Sequence, residues 1–213
     1  MKYQIKSFLL VALFAVLSVP AMASSVTTNH EKATMKQLAF QEAMRKLWED
    51  HIVWTRQFIV SAVADSPDKA AATERLLQNQ VDIGNAVKPF YGDAAGDKLA
   101  ALLKDHIIIA AEVVTAAKAN DTAKLGDASK RWGANADEIA TFLSGANPKA
   151  WPAAEMKKMM HEHLDLTTSE AVARLHGDWV ADIAAFDKVH MQILHMADML
   201  SAGIINQFPA KFE

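Results

Sequence analysis

Between residues 31 and 206, apolar side chains recur at three- and four-residue intervals. No segment sustains the two-residue alternation of a half-buried strand. A chain patterned this way buries its apolar stripes by packing helix against helix. Punctuation divides it into helices over about 31–65, 67–88, 94–118, 121–144, 152–176 and 179–206. Ser66-Pro67-Asp68 reads as an N-cap followed by proline at the first helical position, where its missing N–H costs nothing. Pro89 should end the second helix, because its ring disfavours helical geometry at Lys88. Asp93 should cap the third. Asn120-Asp121 separates the third from the fourth, and Gly145-Ala146-Asn147-Pro148 closes the fourth. Pro152 opens the fifth, Gly177 suits the left-handed position after it, and Pro209 stops the sixth. Every connection is short, so consecutive helices should run antiparallel. The expected fold is an all-α antiparallel bundle of about six helices, built from three αα-hairpins in one domain over 24–213.

The first 23 residues stand apart. Lys2 and Lys6 precede a short apolar run from Phe8 to Val19, and Ala21-Met22-Ala23 places small residues where a signal peptidase reads. This pattern predicts a secretory leader cut after Ala23, and a periplasmic or secreted mature chain. The apolar run is too short for a good membrane span. Losing the two leader lysines takes the formal net charge from −3 to −5. No basic stripe suggests nucleic acid. The chain has no cysteine, so packing must hold it together, and any metal must be held by His, Met, Asp or Glu.

A repeat underlies the hairpins. "WEDHIVWT", "LKDHIIIA" and "MHEHLDLT" each set an acid before a histidine: His51, His106 and His163, each about one helical hairpin from the next. Each lies on an apolar stripe, so each ring should point inward. On the partner helices "NQVDIGNAV", "NADEIATFL" and "HMADMLSAG" present Asp82, Asp137 and Asp198. The first two follow their histidines at equal intervals, and the third comes one helical turn later. At roughly 1.5 Å rise per residue, His51 and Asp82 stand at nearly one level, as do His106 and Asp137. In the third hairpin, His190 to His195 occupy that level. These residues form the candidate site: His51, His106 and His163 with some of Asp82, Asp137, His195 and Asp198. Two plainer readings accompany it. Each imidazole could bond a polar neighbour in the core, and each aspartate could belong to a solvated face.

The last hairpin also gathers Met156, Met159, Met160, Met191, Met196 and Met199, together with five of the eight histidines. Thioether and imidazole suit copper, and a His/Asp set suits zinc. Methionine equally fills irregular cores. The HxxxH, ExxH and HExxH spacings are absent, as are a Gly-rich phosphate loop and a GxSxG elbow.

"HIVWTR", "LLQNQVDI", "KPFYG", "NADEIA", "HEHLDLTT" and "GIINQFP", spread over about residues 44 to 209, carry a resemblance. The chain is similar to a group of small helical bacterial proteins of unestablished function, some labelled acetylglutamate kinase or glycosyltransferase. The resemblance implies an all-helical fold and brings no catalytic residues. The chain has neither a nucleotide-binding α/β pattern nor a sugar-nucleotide site that would support those labels. It also lacks the paired histidine spacings of hemerythrin and DinB-like bundles.

Three functional expectations follow. The first is an exported protein holding a divalent zinc or copper ion, or a small ligand, at the interior His/Asp set. The second is a ligand-free interaction or scaffold module with satisfied core histidines, in which Trp48, Trp132, Trp151 and Trp179 could anchor a partner. The third is a metal-dependent hydrolase or lyase.

Overall fold

The computed structural model describes residues 22–213, with side chains described from residue 31 onward. The expected leader over 1–23 therefore lies almost wholly outside the described residues. Six helices follow in order: α1 Met22–Val63, α2 Lys69–Tyr91, α3 Asp93–Lys118, α4 Thr122–Ala146, α5 Ala153–Leu175 and α6 Trp179–Gln207. A short 3₁₀ turn, η1, spans Pro209–Lys211. No strand occurs among the described residues, so the antiparallel all-α bundle holds. No described helix is long and apolar enough to cross a membrane.

Each helix packs on the next, and α6 returns onto α1, closing a ring. Helix α1 also touches α3 and α5, so the odd-numbered helices meet inside. The main core joins residues from all six helices, among them Trp48, Leu103, Ile139, Met160 and Ile193. A smaller cluster around Phe58, Ile59, Leu76 and Val114 fills the end near the α1–α2 turn.

Local chemistry sets most boundaries as expected. Asp121 accepts from the Lys124 N–H at 3.0 Å and opens α4; Asp178 does the same for Ala181 at 3.0 Å and opens α6. Gly177, at φ +71°, takes the left-handed position after α5. Three expectations need correction. Helix α2 runs through Pro89 to Tyr91, because a proline in the last turn forfeits one hydrogen bond without a clash deep in the helix. Its end is set by Gly92 at φ +84°. Ser66 does not cap α2: Ser66-Pro67-Asp68 forms a turn and the helix begins at Lys69. Asp93 is the first residue of α3 rather than its cap.

Helices α2 and α3 cross backbone to backbone at Gly84 and Gly96. A Cβ on Gly84 would stand 2.5 Å from the Gly96 carbonyl oxygen and 2.7 Å from the Ala100 Cβ. Backbone cannot yield as a flexible side chain can, so Gly84→Ala should force the pair apart and cost about 3 kcal/mol, near the upper end for overpacking. Urea unfolding measures this directly; a loss under about 1 kcal/mol would show that the crossing is loose.

The methionines of the last hairpin divide by position. Met156, Met160 and Met196 are buried in the main core, Met159 and Met199 pack against it half-buried, and Met191 is exposed. Trp48, Trp132 and Trp151 are core residues, whereas Trp179 is exposed beneath the Arg174 guanidinium.

Candidate functional site

His51 on α1, His106 on α3 and His163 on α5 are all buried, at 3%, 2% and 3% exposure. They converge as expected: the ring centroids of His51 and His163 lie 5.7 Å apart, and those of His106 and His163 lie 6.3 Å apart. The closed ring of helices makes this possible. Equal depth in each hairpin becomes a single layer only because α1, α3 and α5 face one another inside.

The polar partners differ from those expected. His106 Nδ1 is 2.8 Å from Asn135 Oδ1, and the Asn135 amide donates to the Leu102 carbonyl at 3.1 Å. His163 Nδ1 is 3.2 Å from Gln192 Oε1, and the Gln192 amide donates to the Met159 carbonyl at 3.0 Å. The construction is the same twice. A carboxamide on the following helix, at the same interval from its histidine in both hairpins, receives the Nδ1–H. It ties its own NH2 to the backbone one turn before that histidine. Fixing the amide fixes the tautomer: Nδ1 carries the proton and Nε2 keeps its lone pair.

The first hairpin splits the task. Asn79 donates to the Leu47 carbonyl at 3.0 Å, again one turn before the histidine. Gln80 holds the position equivalent to Asn135 and Gln192, but donates instead to Leu76 O and Asn79 Oδ1. His51 Nδ1 and Gln80 Oε1 both remain buried without a partner, as does Trp48 Nε1. Gln80 favours the charged form of His51 as a hydrogen-bonding neighbour, yet no closed hydrogen bond joins them.

Burial dominates the titration. It drives His106 down to about 3 and His163 to about 4, and it holds His51 well below the ordinary imidazole range. For His106 and His51, neighbouring imidazoles of like potential charge add to the depression. All three rings are therefore neutral at neutral pH.

The layer is not uniformly open. Trp132 donates its indole N–H to His106 Nε2 at 3.2 Å, so that nitrogen is already engaged. For His163, no hydrogen bond of the ring beyond that of Nδ1 is present among the described residues.

The remaining expected residues lie elsewhere. Asp82 is half-exposed, 3.0 Å from the Gln78 amide and 3.8 Å from Arg75. Asp137 sits outside, 3.1 Å from His161 Nε2 and 3.5 Å from Lys157. Asp198 pairs with Arg45 at 2.5 Å on the surface. His195 is exposed in a groove with Met159 and Met191. The physical reason is azimuth. Asp82 comes two positions after Gln80, and Asp137 two after Asn135. Two positions change the height by only about 3 Å but turn the side chain by roughly 200° around the helix, so the amides face in and the aspartates face out. The signal is present in the sequence: Gln80, Asn135 and Gln192 follow His51, His106 and His163 at one shared interval.

Among the described residues, no group of three or more His, Asp or Glu side chains is drawn close enough to hold a metal ion as it stands. A second buried polar cluster lies between α1, α5 and α6. Arg56 meets Glu170 at 2.7 Å and Asp182 at 2.8 and 3.1 Å, and Arg174 meets Asp182 at 3.2 Å. Burial raises Glu170 to about 7 despite its arginine.

No protein-family model, curated protein or solved structure matches this chain.

Proposed function

We propose that this chain is an exported binding protein, of the helical group it resembles, whose histidine layer takes one borderline or soft divalent-type cation through ring Nε2 atoms. The observation that carries the reading is the twice-built, once-split arrangement of Nδ1 toward an anchored carboxamide. It sets neutral imidazoles in the tautomer that a metal requires, as carbonyls behind the ligating rings do in known sites. Three imidazoles around a metal at about 2.0–2.1 Å would place their ring centroids roughly 5–5.5 Å apart. The separations from His163, 5.7 and 6.3 Å, call for a contraction of up to about an ångström, and binding must also draw His51 and His106 together. Asp82, Asp137, Asp198 and His195 are not ligands in this reading. The ion is zinc-like rather than thioether-bound copper, because the buried methionines serve the core.

Trp132 supplies the sharpest test, since it competes with the metal for His106 Nε2. Removing that donor with Trp132→Phe should tighten Co(II) or Zn(II) binding about fivefold, the equivalent of roughly 1 kcal/mol for one hydrogen bond. The His51→Ala, His106→Ala, His163→Ala variant should bind neither ion. Metal content and titration of the purified mature protein read both outcomes. Equal metal content in wild type and the triple variant would leave the scaffold reading, with the histidines as satisfied core groups.

A further inference from the structure

A cavity of about 190 Å³, open toward the α4–α5 seam, lies between α4 and α5, backed by α1 and α3. Its inner end adjoins the histidine layer: Thr55, Ala110 and Thr167, each one turn after one of the histidines, line it, and so does Trp132. Thr55 and Thr167 spend their hydroxyls on the carbonyls of His51 and His163, at 2.7 and 2.8 Å. Further along, the walls are Phe58, Ile59, Val113, Val114 and Ala171, all buried. No charged side chain lines the cavity. Ser129 on α4 and Thr168 and Val172 on α5 are exposed lining residues, so the way in is the α4–α5 seam, the least closely packed in the ring. From Thr167 to Leu175 the cavity extends roughly 12 Å along α5.

We propose that this cavity is a binding site for an uncharged apolar small molecule, a ring or short alkyl chain, that enters between α4 and α5 and rests against Trp132. Size and lining support it together. An apolar cavity of about 150 Å³ stays dry and admits benzene, and this one is larger, with comparable walls. At the inner end the hydroxyls of Thr55 and Thr167 are already engaged, and no charged side chain lines the space, so a charged ligand would find no counter-charge to replace its water. The wider groove on the outer side of α2, α3 and α4 differs in this respect: it is rimmed by Glu112, Asp127 and Arg131, and the arginine pairs with both acids.

This assignment does not rest on metal coordination, because the cavity is defined by its own lining residues, none of which is one of the three histidines. Benzene titrated calorimetrically into the purified, metal-free mature protein should bind saturably and raise the melting temperature. The double variant Ala117→Leu, Ala171→Leu, which fills the cavity, should weaken benzene binding at least tenfold. Ile108→Lys in the outer groove should leave it unchanged. Crystals of wild-type protein pressurised with xenon supply a readout that needs no variant: density should appear between Trp132 and Ala171. Absence of saturable benzene binding, xenon lodged only in the outer groove, or loss of binding in Ile108→Lys would each overturn the proposal.

Discussion

Lowering the pH from 7.5 to 5 should cost the folded bundle about 2 kcal/mol of stability or more. Three histidines are buried in the neutral form, with His106 depressed to about 3 and His163 to about 4. His51 is depressed in the same direction. In the unfolded chain each titrates near its ordinary value of about 6.5. A depressed native value means that stability is present above the unfolded value and is lost as pH falls toward the native one. At pH 5 His106 and His163 each penalise folding by about 2 kcal/mol, roughly 4 together, and His51 acts in the same direction. Glu170 acts in the opposite sense. Its native value of about 7 lies above its unfolded one, so it gains stability as pH falls through 7, offsetting roughly 2–3 kcal/mol. The histidines outnumber it, and the net sign is loss. Urea unfolding at half-unit steps between pH 7.5 and 5 measures the slope. His163→Gln should make that slope shallower by up to one proton. A flat profile would mean that the rings reach water or partners in the native state.

Replacing Arg56 with methionine should lower the unfolding free energy by about 3 kcal/mol at pH 7.5. Arg56 is the partner of both Glu170 and Asp182, whose side chains are only 2% and 1% exposed. Stripping a buried pair of one member costs about 3–5 kcal/mol, because the other charge stays in place unpaired. Two features hold the loss to the lower figure. Asp182 keeps Arg174 at 3.2 Å, and Glu170 can take up a proton, since its native value already lies near neutrality. The second feature gives the variant a signature. Its deficit relative to wild type should shrink as pH falls from 7.5 to 6, and adding Glu170→Gln should remove that dependence. A loss below about 1 kcal/mol would show that this end of the bundle is carried instead by the surrounding packing, including Phe186 under the Arg56 guanidinium at 4.7 Å. Glu170 continues the buried stripe of Met160, His163 and Thr167 on α5, and Asp182 begins that of Ala185 and Val189 on α6; periodicity therefore places both acids inward, but only the α1–α5–α6 contact brings Arg56 to them.

The histidine layer shows how far reading a sequence can go. His51, His106 and His163 are legible as inward-facing residues, since three apolar stripes at helical spacing carry them. Their common depth is legible from loop positions. Spacing alone points to Asp82 and Asp137 as their partners, and wrongly, because height along an antiparallel hairpin tolerates a two-residue error while facet does not. Gln80, Asn135 and Gln192 carry no charge and attract less notice, yet they are the groups that meet or approach the rings. The methionines of the last hairpin are ambiguous for a related reason. Spacing puts Met156, Met160 and Met196 on buried stripes, and burial alone does not separate ligand from filler.

The sequence by itself determined the helical class, the six segments, the break at Asn120-Asp121, the left-handed position at Gly177, and the inward side of His51, His106 and His163. All of these depend on residues within one or two turns of each other, where local sterics and hydrogen bonding decide. Tertiary structure alone decided that α6 closes onto α1, that His163 comes up against both other imidazoles, that Trp132 occupies His106 Nε2, and that a cavity opens beside them. Those outcomes depend on the azimuth and spacing of helices remote in the chain, which are fixed by how all six pack at once.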